Sequence, residues 1–318
     1  MTAGSVTTPR PVSFSTAGLP EDQRVALWED HNAHELIGLR CRTLSEATLN
    51  ATELNLQLEH VHLARVHGNA HIVERSPEMI RSHPADAIAV YLTLVGEAFF
   101  YHDDGVRTLR PGQLLICDAD RPFMRGFSRG LEELAIKVPR PLFRELTGQG
   151  SLTTPLVRDF IRGDVAARTL VRLLDRGLRP EGAEPVDERT ALHLLASMAG
   201  SRRVDPAAVH LANARAYIED QLTDTGLSAA RVAAGIGISE RHLSRAFAAA
   251  GSSVPHFVLV RRLERARALL ISAPQTPVSS IAAQCGFGSA TYFSQAFRAH
   301  FGMRATDVRH HARARQLT

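Results

Sequence analysis

The sequence predicts a two-domain α+β protein, with an N-terminal β-barrel or jelly roll that carries helices and a C-terminal all-α domain. Short β-rich runs separated by turn signals occupy about residues 52–138. After Pro139 the apolar residues recur with helical spacing. A helix–turn–helix pattern then occurs twice, once around Ser239 and once around Ser289, and one long helix joins the two copies.

Length and composition set the broad class. The chain has 318 residues, and 44% of them are hydrophobic, which is enough for two domains with their own cores. No run approaches the ~18 apolar residues of a membrane span, and the N-terminus lacks the apolar segment of a signal peptide. The three cysteines are far apart, so neither a disulfide framework nor a zinc ribbon is expected. These features predict a cytoplasmic protein with no membrane partner.

Positive charge is concentrated in the C-terminal third. From Val209 to the end the sequence holds 13 Arg, no Lys and 6 acidic residues, a net charge of +7, whereas the whole chain carries +4. The remainder, with 24 basic and 27 acidic residues, carries −3. This asymmetry favours a polyanion as the partner of the C-terminal third, and a solvated arginine-rich surface is the alternative.

The sequence predicts the order of helices, strands and domains along the chain. Residues 20–37 are predicted to be an amphipathic helix with Trp28 near its apolar face, and turn signals such as Pro111-Gly112 separate the strands. The run 155–178 is predicted to be one helix or two. The predicted segments are a loose tail at 1–19, a regulatory domain at 20–200 with strands over 52–138 and helices over 139–200, a linker at 201–208 and a helical domain at 209–318.

Both helix–turn–helix copies follow one pattern of capping and apolar residues. Ser239 is followed by Leu243, and Ser289 by Phe293 and Phe297. Each serine stands where an N-cap belongs, shortly after a glycine that permits a tight turn. Phe293 and Phe297 lie on one helical stripe, so they are expected to pack inward and to leave a small, polar face free. In such motifs the second helix inserts its N-terminal residues into the major groove of DNA.

Two segments of the C-terminal third resemble the AraC/XylS family of bacterial transcription regulators. RRLERARALL, at 261–270, resembles the linker helix of that family, and IAAQCGFGSATYFSQAFRAHFG, at 281–302, resembles its signature. The sequence departs from the family pattern at Ala305, where proline is usual, at Val308, where an aromatic residue is usual, and at Gln295, where arginine is common. Less specifically, LRPGQLLICDADRPF and LPEDQRVALWEDH resemble its cupin-like regulatory domain.

The resemblance implies a sequence-specific DNA-binding regulator and not an enzyme, with promoter double-stranded DNA as its partner. It further implies an activator that contacts RNA polymerase, forms a homodimer through residues of about 140–200 and binds a small organic effector. The apolar stripes of VRDFIRGDVAARTLVRLL and TALHLLASMA are also expected to need a partner surface. A regulator that has no ligand is an alternative within the same class.

The exposed faces of the two recognition helices supply the candidate DNA contacts. Arg241 and Arg245 are the candidates on the first helix, because arginine pairs bidentately with guanine, and Thr291 and Gln295 are the base readers of the second. Surface ion pairing, for example with Glu240, is the alternative for the two arginines. Most arginines of the joining helix are expected to pair within the protein. The full predicted set is Arg241, Ser244, Arg245, Ser289, Ala290, Thr291, Ser294, Gln295 and Arg298.

The N-terminal domain offers a weaker set of candidate sites. His60, His62, His67 and His71 are the strongest metal candidates, but metal-dependent cupins also need a histidine after the Pro-Gly turn, where this sequence has none. No triad, nucleophile elbow or phosphate loop is found, so no metal, cofactor or catalytic residue is predicted. A metal-dependent cupin enzyme with a helical tail is the rival function. The candidate effector pocket consists of Tyr91, Thr93, Phe99 and Tyr101, for which ordinary core packing is the alternative.

Overall fold

The structure is a computed structural model in which the described residues are 10–44, 48–161, 164–180, 185–200 and 206–316. The chain divides into an N-terminal domain, Met1–Asp205, and a C-terminal domain, Pro206–Thr318. Of the predicted tail and linker, residues 1–9 and 201–205 lie outside the described residues, and a helix already begins at Pro206. Within the described ranges, no helix has the length and apolar character needed to cross a membrane.

The described part of the N-terminal domain combines twelve strands with five helices. The strands are β1 (Val12–Ser15), β2 (Arg40–Thr43), β3 (Ala51–Gln57), β4 (His62–Gly68), β5 (His71–Arg75), β6 (Ala87–Val95), β7 (Ala98–His102), β8 (Gly105–Leu109), β9 (Gln113–Asp118), β10 (Phe123–Phe127), β11 (Leu131–Pro139) and β12 (Leu156–Asp159). The helices are α1 (Arg24–Glu35), α2 (Pro77–Ser82), α3 (Arg140–Thr147), α4 (Val165–Gly177) and α5 (Glu188–Met198).

These strands form two antiparallel sheets that share one core. The larger sheet has seven strands in the order β1-β3-β4-β11-β6-β9-β12, and the smaller has five in the order β2-β5-β10-β7-β8. Residues from both sheets, such as Ala135 on β11 and Phe100 on β7, join Trp28 of α1 in a single buried cluster. Because the two sheets stay separate, the domain is a two-sheet arrangement of the jelly-roll kind and not a closed barrel.

Helices α4 and α5 cover the face of the larger sheet that points away from this core. Arg65 of β4 pairs there with Asp175 of α4, at 2.8 Å, and α4 contacts both β11 and α5. Leu170 and Leu174 of α4 are completely buried, as is Leu194 of α5. Most of the apolar stripe residues that were expected to need a partner surface are therefore buried within one chain, whereas Ile161 is 63% exposed.

Two segments differ from the sequence-based expectations. Val12–Ser15, expected in a loose tail, forms an edge strand paired with β3. Leu156–Asp159, expected to be helical, forms the opposite edge strand and pairs with β9. In both cases a short segment forms backbone hydrogen bonds with the open edge of a sheet. The local spacing of apolar residues does not predict this pairing, because the partner strand is distant in the sequence.

A buried ion pair links the two sheets. Arg125 of β10 donates two hydrogen bonds to the carboxylate of Glu133 of β11, at 2.9 Å and 2.6 Å. The two side chains are only 2% and 5% exposed. The Arg125 guanidinium lies 3.8 Å from the centroid of the Tyr91 ring, while its Nε has no hydrogen-bond partner among the described residues. Removal of either charge would leave the other unpaired inside the domain.

In the C-terminal domain, two helix–turn–helix motifs share one long helix. The helices are α6 (Pro206–Asp220), α7 (Ala229–Gly235), α8 (Glu240–Ala249), α9 (Val254–Ser272), α10 (Val278–Gln284), α11 (Ala290–Phe301) and α12 (Ala305–Gln316). Val254 and Val258 at the start of α9 belong to the core formed with α6–α8, whereas Leu263 and Leu270 belong to the core formed with α10–α12. Helix α9 therefore carries both motifs.

The turn of the second motif packs directly on the first motif. A Cβ at Gly286 would lie 2.8 Å from the carbonyl oxygen of Leu222 and 3.0 Å from that of Thr223, and the φ of +81° at Gly286 also favours glycine. Arg262 of α9 donates hydrogen bonds to the carbonyls of Leu222 and Asp224, at 2.8 Å and 2.7 Å. These contacts fix the orientation of one motif relative to the other.

Replacement of Gly286 by alanine is expected to destabilise the C-terminal domain. The left-handed backbone alone costs about 1–2 kcal/mol for a residue with a Cβ, and the clash with two backbone carbonyls adds to that. Gly288→Ala is the matched control, because a Cβ there meets nothing within 4 Å. Thermal unfolding should show a clearly lower Tm for Gly286→Ala only; equal Tm values for the two variants would contradict the close packing.

A mutant cycle on the buried ion pair should be strongly non-additive. Arg125→Met and Glu133→Leu should each destabilise the N-terminal domain by about 3–5 kcal/mol, because each leaves one buried charge without its partner. The double variant should be more stable than either single variant, since it buries no charge. Urea unfolding measures all three free energies of unfolding. A double variant whose loss equals the sum of the single losses would show that the charges do not interact in this way.

Candidate nucleic-acid interface and ligand cavity

Helix α8 presents its predicted contact residues on one exposed face. The Ser239 hydroxyl accepts a hydrogen bond from the backbone N–H of His242, at 3.3 Å, and so caps the helix. The buried face holds Leu243, Ala246 and Phe247. The predicted residues on the exposed side are Arg241, Ser244 and Arg245. The hydrophobic stripe thus fixes the rotation of the helix and leaves both arginines free to reach outward.

Helix α11 repeats this arrangement in the second motif. Ser289 accepts a hydrogen bond from the backbone N–H of Tyr292, at 3.3 Å, while Phe293 and Phe297 are completely buried. The Ser294 hydroxyl donates to the Ala290 carbonyl, at 2.9 Å, and so is partly engaged within the helix. The predicted residues that remain exposed on this helix are Ala290, Thr291, Ser294, Gln295 and Arg298.

The two recognition helices place different chemistry at equivalent positions. Counted from the capping serines, Arg241 corresponds to Thr291 and Arg245 corresponds to Gln295. Arginine offers a planar fork of donors that matches guanine, whereas a glutamine amide pairs with adenine and a threonine hydroxyl can contact either base. The two helices therefore present different hydrogen-bonding groups at equivalent positions.

Sequence reasoning missed two exposed residues on these helices. Tyr292 of α11 is 53% exposed, and His242 stands at the equivalent position of α8 and is also exposed. Both flank the buried stripe, where a tyrosine hydroxyl or an imidazole can reach a DNA phosphate. The fifty-residue repeat in the sequence could have identified both residues, because it aligns position 242 with position 292.

Two of the four arginines of the joining helix pair within the protein, although most of them were expected to do so. Arg261 hydrogen-bonds to Glu219 of α6 and to Glu264, and Arg262 holds the loop after α6 as described above. Arg265 and Arg267 are exposed, and the guanidinium of Arg267 lies 5.2 Å from the centroid of a phenylalanine ring of α11. Exposed positive charge therefore remains on the recognition helices and at Arg265 and Arg267 of α9.

A cavity of about 40 Å³ lies inside the N-terminal domain, between α1 and the inward faces of the two sheets. Since one water needs ~10–15 Å³ of cavity volume, the cavity has room for about three waters. The buried ion pair of Arg125 and Glu133 forms part of its wall. The lining residues are Trp28, Asn32, Leu36, Ile37, Leu39, Val66, His71, Val73, Tyr91, Arg125, Phe127, Leu131, Glu133 and Ala135.

Of the four predicted pocket residues, only Tyr91 lines this cavity. Thr93 is buried, on the same strand face but outside the cavity lining. Phe99 is half-buried against Gly126 on the outer face of the smaller sheet, and Tyr101 is 54% exposed. The difference has a simple cause: strand residues alternate between faces, and on β7 it is Phe100 that points inward. The missed cavity residues include Arg125, which shares the inward face of β10 with Phe127.

The structure does not bring the four predicted histidines together. His60 lies in the turn before β4, where the Glu188 carboxylate accepts hydrogen bonds from the backbone N–H groups of His60 and Val61, at 2.7 Å and 2.8 Å. His62 is buried, whereas His71 lies beside a phenylalanine ring in the cavity wall. Among the described residues, Glu59, His60 and Glu188 could approach one ion, but Glu188 already pins the β3–β4 hairpin to α5.

Comparison with known proteins identifies both domains. A family model described as an AraC-binding-like domain matches residues 28–225, and one described as a helix-turn-helix domain matches residues 232–311. The transcriptional activator NphR of Rhodococcus sp is 26% identical over 256 residues, which cover 76% of this chain and 75% of that protein. The transcriptional activator RhrA of Rhizobium meliloti is 31% identical over 105 residues, which cover 33% of each chain.

A solved structure agrees with this result at the level of the fold. The crystal structure of the AraC-like transcriptional activator CuxR matches with a TM-score of 0.50 at 22% identity, over 81% of this chain and 96% of that one. The first family model alone extends over more than half of the sequence. Together with the two capped recognition helices, these matches show that the chain belongs to the AraC family of DNA-binding transcription regulators.

Proposed function

We propose that this regulator is a transcription activator that contacts RNA polymerase and responds to a small organic ligand in its N-terminal domain. The observation that carries the proposal is the pair of recognition helices, equivalently capped and held by one helix, with different residues on their exposed faces. NphR and RhrA are named transcriptional activators, which supports activation. The protein acts in the cytoplasm, where promoter DNA lies.

On DNA, α8 and α11 would enter successive major grooves on one face of the duplex, about 34 Å apart. In this arrangement Arg241 and Arg245 contact guanine bases or phosphates in one half-site, and Gln295 and Thr291 read the other. Arg298 lies about one turn beyond Gln295 on α11 and contacts the DNA backbone. The net charge of +7 from Val209 onward provides the electrostatic attraction, which weakens as salt rises.

The cavity of the N-terminal domain supports the ligand response. A concave, mostly apolar site with a few buried polar groups is the usual form of a small-molecule site. Here the polar lining residues include Asn32, His71, Glu133 and Arg125. The Nε of Arg125 has no hydrogen-bond partner among the described residues. A homodimer is not required by this proposal, because the apolar stripes of α4 and α5 are covered within one chain.

Substitution of Gln295 and of Arg298 should give opposite signatures in one binding-site selection experiment. Gln295→Ala should relax the preference at one base pair by about 1–3 kcal/mol and leave non-specific affinity nearly unchanged. Arg298→Ala should weaken binding to all sequences alike and lower the salt slope by about one unit. Both residues are exposed on α11, so both variants should keep the wild-type Tm.

Each variant serves as the control for the other. If Gln295→Ala leaves every position of the selected motif intact, the proposed rotation of α11 in the groove is wrong. In that case Thr291 becomes the better candidate for base contact.

A further inference from the structure

Position 137 holds the only lysine of the chain. Lys and Arg together number 37, and arginine occupies every other one of these positions. Lysine and arginine are not chemically equivalent at such a position. The relevant difference is that a lysine amine can lose its proton and act as a nucleophile, whereas a guanidinium stays charged.

Lys137 lies on the inward face of β11, two residues after Ala135, which lines the cavity. Successive inward residues of this strand are Leu131, Glu133 and Ala135, all of which line the cavity, and Lys137 follows them by alternation. Its cross-strand neighbours are His62 of β4 and Ala89 of β6. The side chain is half-buried and lies just beyond Ala135, the last residue of β11 that lines the cavity.

No hydrogen bond or ion pair engages the Lys137 amine among the described residues. The charged groups that face it are Glu35 of α1 and Arg75 of β5, with His62 beside it on β4. Burial lowers the pKa of the Lys137 amine, the Glu35 carboxylate opposes this shift, and the Arg75 guanidinium adds to it. Burial also lowers the pKa of His62, so this neighbour is neutral near pH 7 and adds no further positive charge beside the amine.

We propose, building on the ligand response proposed above for this domain, that the Lys137 amine binds a small aldehyde or ketone as a reversible imine. The neutral amine attacks the carbonyl carbon and forms a C–N bond. The carbonyl oxygen leaves as water and takes both protons of the nitrogen, so the step needs no oxidant or reductant. The apolar body of the ligand then occupies the adjacent cavity, where Leu36 and Val66 contribute apolar wall.

Arg81→Lys creates the matched control inside the same molecule. Arg81 is exposed on α2, so this variant carries one surface lysine in addition to Lys137 and keeps every residue of the proposed site. The variant is incubated with butanal and cyanoborohydride at pH 7, and peptide mapping by mass spectrometry gives the rate of adduct formation at each of the two positions. The N-terminal amine maps to a separate peptide.

The expected result is labelling at Lys137 that is several-fold faster than at the amine introduced at position 81 and that saturates as butanal is raised, because binding in the cavity precedes reaction. Equal or slower labelling at position 137, or a rate that rises linearly with butanal at both positions, overturns the proposal. The experiment contains no DNA, so its failure leaves the DNA-binding function standing. Loss of promoter binding would in turn leave the labelling result intact.

Discussion

The close approach of Gly286 to the carbonyl groups of Leu222 and Thr223 fixes how the two helix–turn–helix motifs of the C-terminal domain pack together. Only a residue without a Cβ lets the second helix–turn–helix approach the first this closely. Arg262 adds two hydrogen bonds to the same loop. Because α9 also contributes to both cores, the two recognition helices have one fixed separation. In the proposed function, the two half-sites therefore have one fixed spacing.

Among the described residues, most buried polar and charged side chains lie in the N-terminal domain, and Asn213 is the one in the C-terminal domain. Both cores of the C-terminal domain are built from aliphatic and aromatic residues. The interior of the N-terminal domain also holds the Arg125–Glu133 pair and Glu53, whose Oε2 lies 3.5 Å from Nε2 of His31. Burial raises the pKa of Glu53 to about 8, so it is mostly protonated at neutral pH. Such groups add little stability, and they are typical of domains that bind small molecules.

The C-terminal domain was largely predictable from sequence, because its signals are local and repeated. The capping serines, the turn glycines and the stripe of Phe293 and Phe297 each act within one or two helical turns. The interior of the N-terminal domain was not predictable to the same degree. Which residues of β7 face inward depends on its pairing with β10, and a shift of one residue exchanges Phe99 for Phe100. The partner of Arg125 lies on another sheet, so only the folded chain reveals it.

Hydroxyl-radical footprinting of the full chain on DNA selected from a random pool tests the central claim most directly. Two recognition helices held by α9 should protect two backbone patches on one face of the duplex, about 10–10.5 base pairs apart centre to centre. The spacing should be the same on every selected sequence. A single protected patch, or two patches whose spacing varies from one sequence to another, would contradict a rigid pair of recognition helices.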